Sequence, residues 1–206
     1  MTARHRLHRR TRLILAVVGA TLLLVAGADP ARADRYGIND PDTGMLPDDY
    51  VHTYCFPNGP EWWAPYAVEA MNNLDAQTNM TVQYQPVCDA ETDVAMVVDN
   101  RITTLGELLC TSPRADSLCA QAHLRISLAS FNNWANAYRP TTAAYYHQLR
   151  AVLCHEVGHS VGLKHNGGYG DCMDANYATP PEYWWNYEHY APHHVGHINS
   201  GVATWS

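Results

Sequence analysis

The sequence predicts a single α+β domain, and three observations carry that expectation. Residues 61–77 and 143–163 keep apolar side chains at helical spacing, residues 50–56, 80–87, 92–98 and 122–128 read as strands, and the elements run strand, helix, strands, helix. Once an N-terminal export signal is set aside, about 173 of the 206 residues remain. That length suits one domain with one main core, and no internal repeat is visible.

Residues 1–33 read as a signal peptide. Arg6, Arg9, Arg10 and Arg12 make a basic start, Leu13 to Ala28 is an apolar run short for a membrane span, and Ala31-Arg32-Ala33 is a small-x-small cleavage site. The expectation is a secreted, extracellular monomer with no stable membrane insertion after cleavage. Cleavage removes six of the thirteen Lys and Arg and one of the twenty acidic residues, leaving a net charge of about −12. Such acidity excludes nucleic acid as a partner, because phosphate backbones are bound mainly through Lys and Arg.

Residues 34–206 form the domain, beginning with an extended segment, 34–49, rich in Asp, Pro and Gly. Its aspartates lack the regular ligand spacing of a calcium loop, so calcium there has no support. Tyr50 to Phe56 reads as a strand, ended by Pro57-Asn58-Gly59-Pro60, a cluster that also opens a helix with Pro60 and Glu61 in its first turn. Trp63, Tyr66, Ala67, Ala70, Met71 and Leu74 then mark one helical face. After the strands 80–87 and 92–98, Ala122, Leu124, Ile126 and Leu128 alternate with His123, Arg125 and Ser127. Pro140-Thr141-Thr142 supplies an N-cap for the helix 143–163, with Tyr145, Leu149, Val152 and Leu153 packing inward and His147 on the surface. Asn166 to Gly170 is loop. Ala191 to Gly201 is a C-terminal helix, where His189, His193 and His197 make a solvated stripe. Thirteen tyrosines and six tryptophans against two phenylalanines mean that aromatics with a hydrogen-bonding end do most of the packing, Tyr183, Trp184, Trp185, Tyr187 and Tyr190 among them.

The chemistry lies in residues 155–165. On a helix His155 and His159 are four apart and share a face, while Glu156 stands at the edge of that face, beside a bound metal but outside its ligand set. His165 cannot join them on a continuous helix, which would carry it about 15 Å from His155. The helix must stop and turn back, and Gly162 stands where the turn is needed. Three imidazoles and a carboxylate in this pattern point to a catalytic zinc site with His155, His159 and His165 as ligands and Glu156 as general base.

His155, Glu156, His159, Gly162 and His165 together resemble the extended motif of the metzincin clan of zinc endopeptidases. The resemblance covers residues 155–165 and Met173; the subfamily stays open, since Asn166 after the third histidine fits none of the common patterns. It implies a mixed twisted sheet, a long first helix, an active-site helix and a small irregular C-terminal subdomain with a terminal helix. It implies Met173 as the methionine turn beneath the metal, and Ala122 to Ala129 as the strand on the upper rim of the cleft. Ala175 departs from the clan members that place a tyrosine two residues after the methionine, which leaves the role of Tyr177 open. The even set of six cysteines in an exported chain predicts disulfides, with fifteen pairings possible. The resemblance brings Cys154 and Cys172 together beside the metal; Cys110–Cys119 then closes a short loop, and Cys55–Cys88 remains. The implied activity is hydrolysis of peptide bonds in a protein or peptide substrate. The alternatives are a zinc-containing binding protein without turnover and a zinc hydrolase of a non-peptide bond.

Overall fold

In the computed structural model the described residues are 46–59, 61–114, 118–165, 170–174 and 187–205, the side chains of 202–205 excepted. Their order is β1 (Leu46–Pro47), β2 (Val51–Cys55), α1 (Ala64–Gln77), β3 (Thr81–Tyr84), β4 (Val94–Val98), β5 (Gly106–Pro113), β6 (Leu118–Ile126), α2 (Leu128–Tyr138), α3 (Thr142–Ser160) and α4 (Pro192–Trp205). The strands form one sheet in the order β1-β6-β4-β2-β3, parallel throughout, and β5 adds an antiparallel edge on β6. The chain is a mixed α/β fold with a mainly parallel sheet.

Strand β4 is short and apolar, and its Val94 and Met96 sit in the core with Leu124 and Ile126 of β6, as suits strands covered on their faces. Helix α1 is the crossover between the parallel neighbours β2 and β3, and it lays Ala67, Ala70, Met71 and Leu74 on the core. It starts three residues later than expected. Pro65, not Pro60, fills the early helical position, and Trp63 goes into the core as the N-cap. Helix α3 packs against α1, β5 and β6, bringing Leu149, Val152, Leu153 and Val157 to the same core. Among the described residues no helix is long and apolar enough to cross a membrane.

Several expectations need correction. The N-terminal segment 34–49 is not wholly outside the sheet, because Leu46–Pro47 pairs with Leu118 and Cys119 of β6; residues 34–45, like the signal 1–33, lie outside the described residues. The strand expected to end at Leu128 ends at Ile126. Ser127 accepts the Ser130 N–H at 3.1 Å and caps α2, so Leu128 extends the alternation by accident of composition. Neither α2 nor β5 is expected from the sequence. Strand β5 carries no clean alternation and is held by its pairing with β6 and by the Cys110–Cys119 disulfide. The strand on the edge of the sheet is therefore β5, whereas the segment from Ala122 lies inside it, between β4 and β5.

Candidate metal centre

Every residue from Ala151 to Leu163 is buried, so this half of α3 is apolar or small nearly all round, and the polar exceptions need partners. Thr141 accepts the Ala144 N–H at 3.2 Å and starts the helix as its N-cap. The end is a Schellman motif: the Leu163 N–H donates to Gly158 O and the Gly162 N–H to His159 O, each at 3.0 Å, with Gly162 at φ +85°. A side chain at that φ would be strained, and the helix ends at Ser160 where the sequence reading carried it to Leu163.

The turn brings His165 back to the helix. Its Nε2 lies 2.9 Å from that of His155 and 3.1 Å from that of His159, and the last two are 2.9 Å apart. The outer nitrogens of the two helical histidines are engaged elsewhere. His155 Nδ1–H donates to the Cys172 carbonyl at 2.7 Å, and His159 Nδ1–H to the Leu163 carbonyl at 2.8 Å. These bonds set the tautomers and aim the Nε2 lone pairs at one point. Burial, followed by the neighbouring His159 and His165, holds the His155 ring well below its ordinary pKa against the pull of the Cys172 carbonyl. Neutral imidazoles that converge in this way could hold one metal ion, and among the described residues they are the one such group. His155 and His159 are buried and His165 is exposed, so the point is reached from one side.

That side is a cleft of about 600 Å³ lined by Glu156, His159 and His165 together with Ile102, Thr104 and Leu108. Burial, then the charge of Glu107, pushes the Glu156 carboxyl up to about 8, although the Leu108 backbone hydrogen bond holds it down. Gly106 lets β5 come this close. A Cβ there would meet Val152 Cγ1 at 2.7 Å and Glu156 Oε1 at 2.8 Å. Strand β5 is thus the wall of the cleft that the sequence reading assigned to Ala122–Ala129.

Met173 is fully buried in a tight turn, in which the Asp174 N–H donates to Asp171 O at 3.1 Å. Its sulfur occupies the space where Gly158 lacks a side chain, and the Tyr190 ring would meet the same added Cβ at 3.0 Å. All three disulfides, Cys55–Cys88, Cys110–Cys119 and Cys154–Cys172, form as expected, and no cysteine is free. Cys172 therefore serves the site twice, through its sulfur to the residue before His155 and through its carbonyl to His155 itself.

Sequence reasoning missed what holds this turn. Asp171 Oδ1 accepts the Met173 N–H at 3.1 Å, and Oδ2 accepts the Ala191 N–H at 2.8 Å and pairs with Nδ1 of the fully buried His194. Burial alone would raise the Asp171 carboxyl; the bonds from His194, Ala191 and Met173 and the charge of His194 outweigh it and keep the pKa below the ordinary value. The four-residue spacing of His189, His193 and His197 drew attention away from His194, whose neighbour-to-neighbour position with His193 gives no periodic signal. Gly158 offered a signal, since a glycine in mid-helix costs about 1 kcal/mol relative to alanine and needs a packing reason. His147 is a further correction. It is one-third exposed and pairs with Glu188, because α3 runs beside the segment that precedes α4. Tyr190 packs as expected and donates from its hydroxyl to Cys154 O at 3.0 Å. Asn166, Ala175, Tyr177, Tyr183, Trp184 and Trp185 lie outside the described residues.

No protein-family model and no curated protein matches this chain.

Proposed function

We propose that the chain is a secreted, zinc-dependent endopeptidase of metzincin type that hydrolyses peptide bonds with Glu156 as general base. The observation that carries the reading is the convergence of three Nε2 atoms, two of them oriented by Nδ1 hydrogen bonds, beside a buried carboxyl group in one cleft. Ligands about 2.0–2.1 Å from a tetrahedral zinc stand about 3.3 Å apart, and the Nε2 separations of 2.9–3.1 Å are near that value. Bound there, zinc supplies a Lewis acid that acidifies water and polarises a carbonyl. Glu156 lines the same cleft, where a bound cation would favour its ionised form against the burial that raises its pKa, so it would accept a proton from the attacking water and return it to the leaving amine. The open side of β5 gives an extended peptide a strand to pair with, which holds the scissile bond along the cleft.

The three disulfides and the charge balance agree with an exported protein, and the Met173 turn beneath Gly158 agrees with the clan. A binding protein without turnover has no use for Glu156, whose burial in the cleft is costly unless the carboxyl is employed. The test is to incubate the purified protein with an unstructured protein, with and without a chelator, and to measure bound metal. The expected outcome is cleavage that stops on chelation, with one zinc per chain that is lost in His165→Ala. Stoichiometric zinc without cleavage would leave the binding reading in its place.

A further inference from the structure

Ser160 is the last residue of α3 and is buried, so its hydroxyl needs partners inside the protein. It has two. Oγ lies 2.7 Å from the Val157 carbonyl oxygen, which can only accept, and 2.8 Å from Nε2 of the buried His52, 108 residues away on β2. The single hydroxyl proton goes to Val157, so the ring must donate: His52 Nε2–H to Ser160 Oγ, and Ser160 O–H to Val157 O. Burial holds the His52 ring down at about 4, so it is neutral and has this one N–H to give.

That leaves Nδ1 bare. Among the described residues it has no hydrogen-bond partner, since the Asp93 carboxylate, 3.8 Å away, is too far and already accepts the Thr53 N–H at 2.6 Å and the Thr53 hydroxyl at 2.9 Å. An orphaned buried nitrogen is costly, and an apolar side chain on β2 would avoid the cost. The histidine is accounted for by its other nitrogen.

What the donated bond holds is the end of the metal helix. In a continuing helix the Val161 N–H would go to Val157 O; here it goes to Gly158 O at 3.3 Å, and the Ser160 hydroxyl takes its place at Val157. The next two carbonyls, of Gly158 and His159, accept the Leu163 and Gly162 N–H groups of the reversing turn, and the Leu163 carbonyl accepts from His159 Nδ1. The last turn of α3 thus carries His159 directly and the return of His165 through Gly162. His155 is anchored elsewhere, on the Cys172 carbonyl.

We propose that His52 is a positioning residue of the metal centre: its bond to Ser160 fixes the last turn of α3 and so the aim of His159 and His165. This rests on the proposed binding of a metal by the three histidines, and not on the peptide chemistry.

The test is zinc affinity, measured by competition with a chelating dye on the folded full-length secreted protein, together with the absorption spectrum of the cobalt(II)-loaded form. His52→Leu removes the donor and should weaken zinc about tenfold, the lower end of what losing an outer partner of a ligand costs. His52→Gln, which keeps an N–H at nearly the reach of Nε2, should restore most of the affinity. Ser160→Ala removes one atom and serves where the leucine variant does not fold; it should weaken zinc to the same degree, and adding His52→Leu to it should change little more. The cobalt spectrum, which reports ligand geometry, should change in His52→Leu and Ser160→Ala and return in His52→Gln. Lower stability with wild-type affinity and spectrum, or fully additive losses from the two changes, would overturn the proposal. A wild type that takes up no metal would overturn the reading of the three histidines, and this inference with it.

Discussion

Glu156 concentrates the chemistry of the proposal in one side chain. Replacement by Gln preserves volume and removes the base. Zinc content and folding should stay close to wild type because the three imidazoles are untouched, while peptide hydrolysis falls by about 10²–10⁴-fold. Metal analysis and a peptide assay on the same preparation separate the two effects; loss of zinc would make the carboxylate a ligand. Gly158 gives a second prediction at this scale. Gly158→Ala places a methyl against the Met173 sulfur and the Tyr190 ring, and should cost about 1–3 kcal/mol in urea denaturation by overpacking. Unchanged stability would show that the methionine turn yields. The three converging histidines and Gly162 were legible because a metal-binding pattern fixes their spacing along the chain. Gly158, Gly106 and His194 were not, because each answers to a neighbour distant in sequence: Met173, Glu156 and Asp171 respectively.

The turn Asp171–Asp174 is an element to which the buried Asp171 carboxyl contributes three contacts beside the Cys154–Cys172 disulfide, and that contribution depends on pH. The Asp171 carboxyl has its pKa lowered in the folded state. Its contribution to stability is therefore present above the ordinary carboxyl pKa, about 3.9, and is lost as pH falls through the folded value. Asp171→Asn should cost about 1–3 kcal/mol at neutral pH, since it weakens a buried acceptor that holds Met173, Ala191 and His194. The deficit relative to wild type should begin to shrink below about pH 4, where the carboxyl of the unfolded chain protonates, and vanish once pH falls through the lower folded value. Urea denaturation of both proteins at pH 7 and pH 3 measures this, and a deficit independent of pH would show that shape, not charge, holds the turn. Helix α3 was legible among the elements because its cap, its apolar positions and its terminating glycine agree. Helix α2 was hidden by a strand-like alternation running up to Leu128, and β5 by the lack of any alternation, since pairing and a disulfide do for it what pattern does elsewhere.

At the scale of the whole molecule, the three imidazoles belong to native structure alone, because Cys172, Leu163 and the turn at Gly162 must all be in place to aim them. A metal that binds only this state stabilises it, by about 4 kcal/mol at a free concentration a thousandfold above its dissociation constant. A chelator should accordingly lower the melting temperature of the wild type and leave that of His155→Ala nearly unchanged; equal shifts in both would mean that the metal adds nothing to the fold. The order strand, helix, strands, helix was readable along the chain, but the mainly parallel sheet was not, since pairing partners come from segments tens of residues apart.

Among the described residues strand β5 ends the sheet with one side unpaired, and such a side does not distinguish a peptide from a second copy of the same protein. Two copies meeting edge to edge would extend the sheet and cover both clefts, a form of self-association that unfolds nothing. The chain discourages it at both ends of the strand. Near one end Glu107 keeps a charged side chain on the strand, paired with Arg125 of β6 at 2.6 Å, and at the other end Pro113 has no N–H to give. Replacing Pro113 by a residue that has an N–H, in a concentrated solution, would thus turn the edge into a seam between molecules.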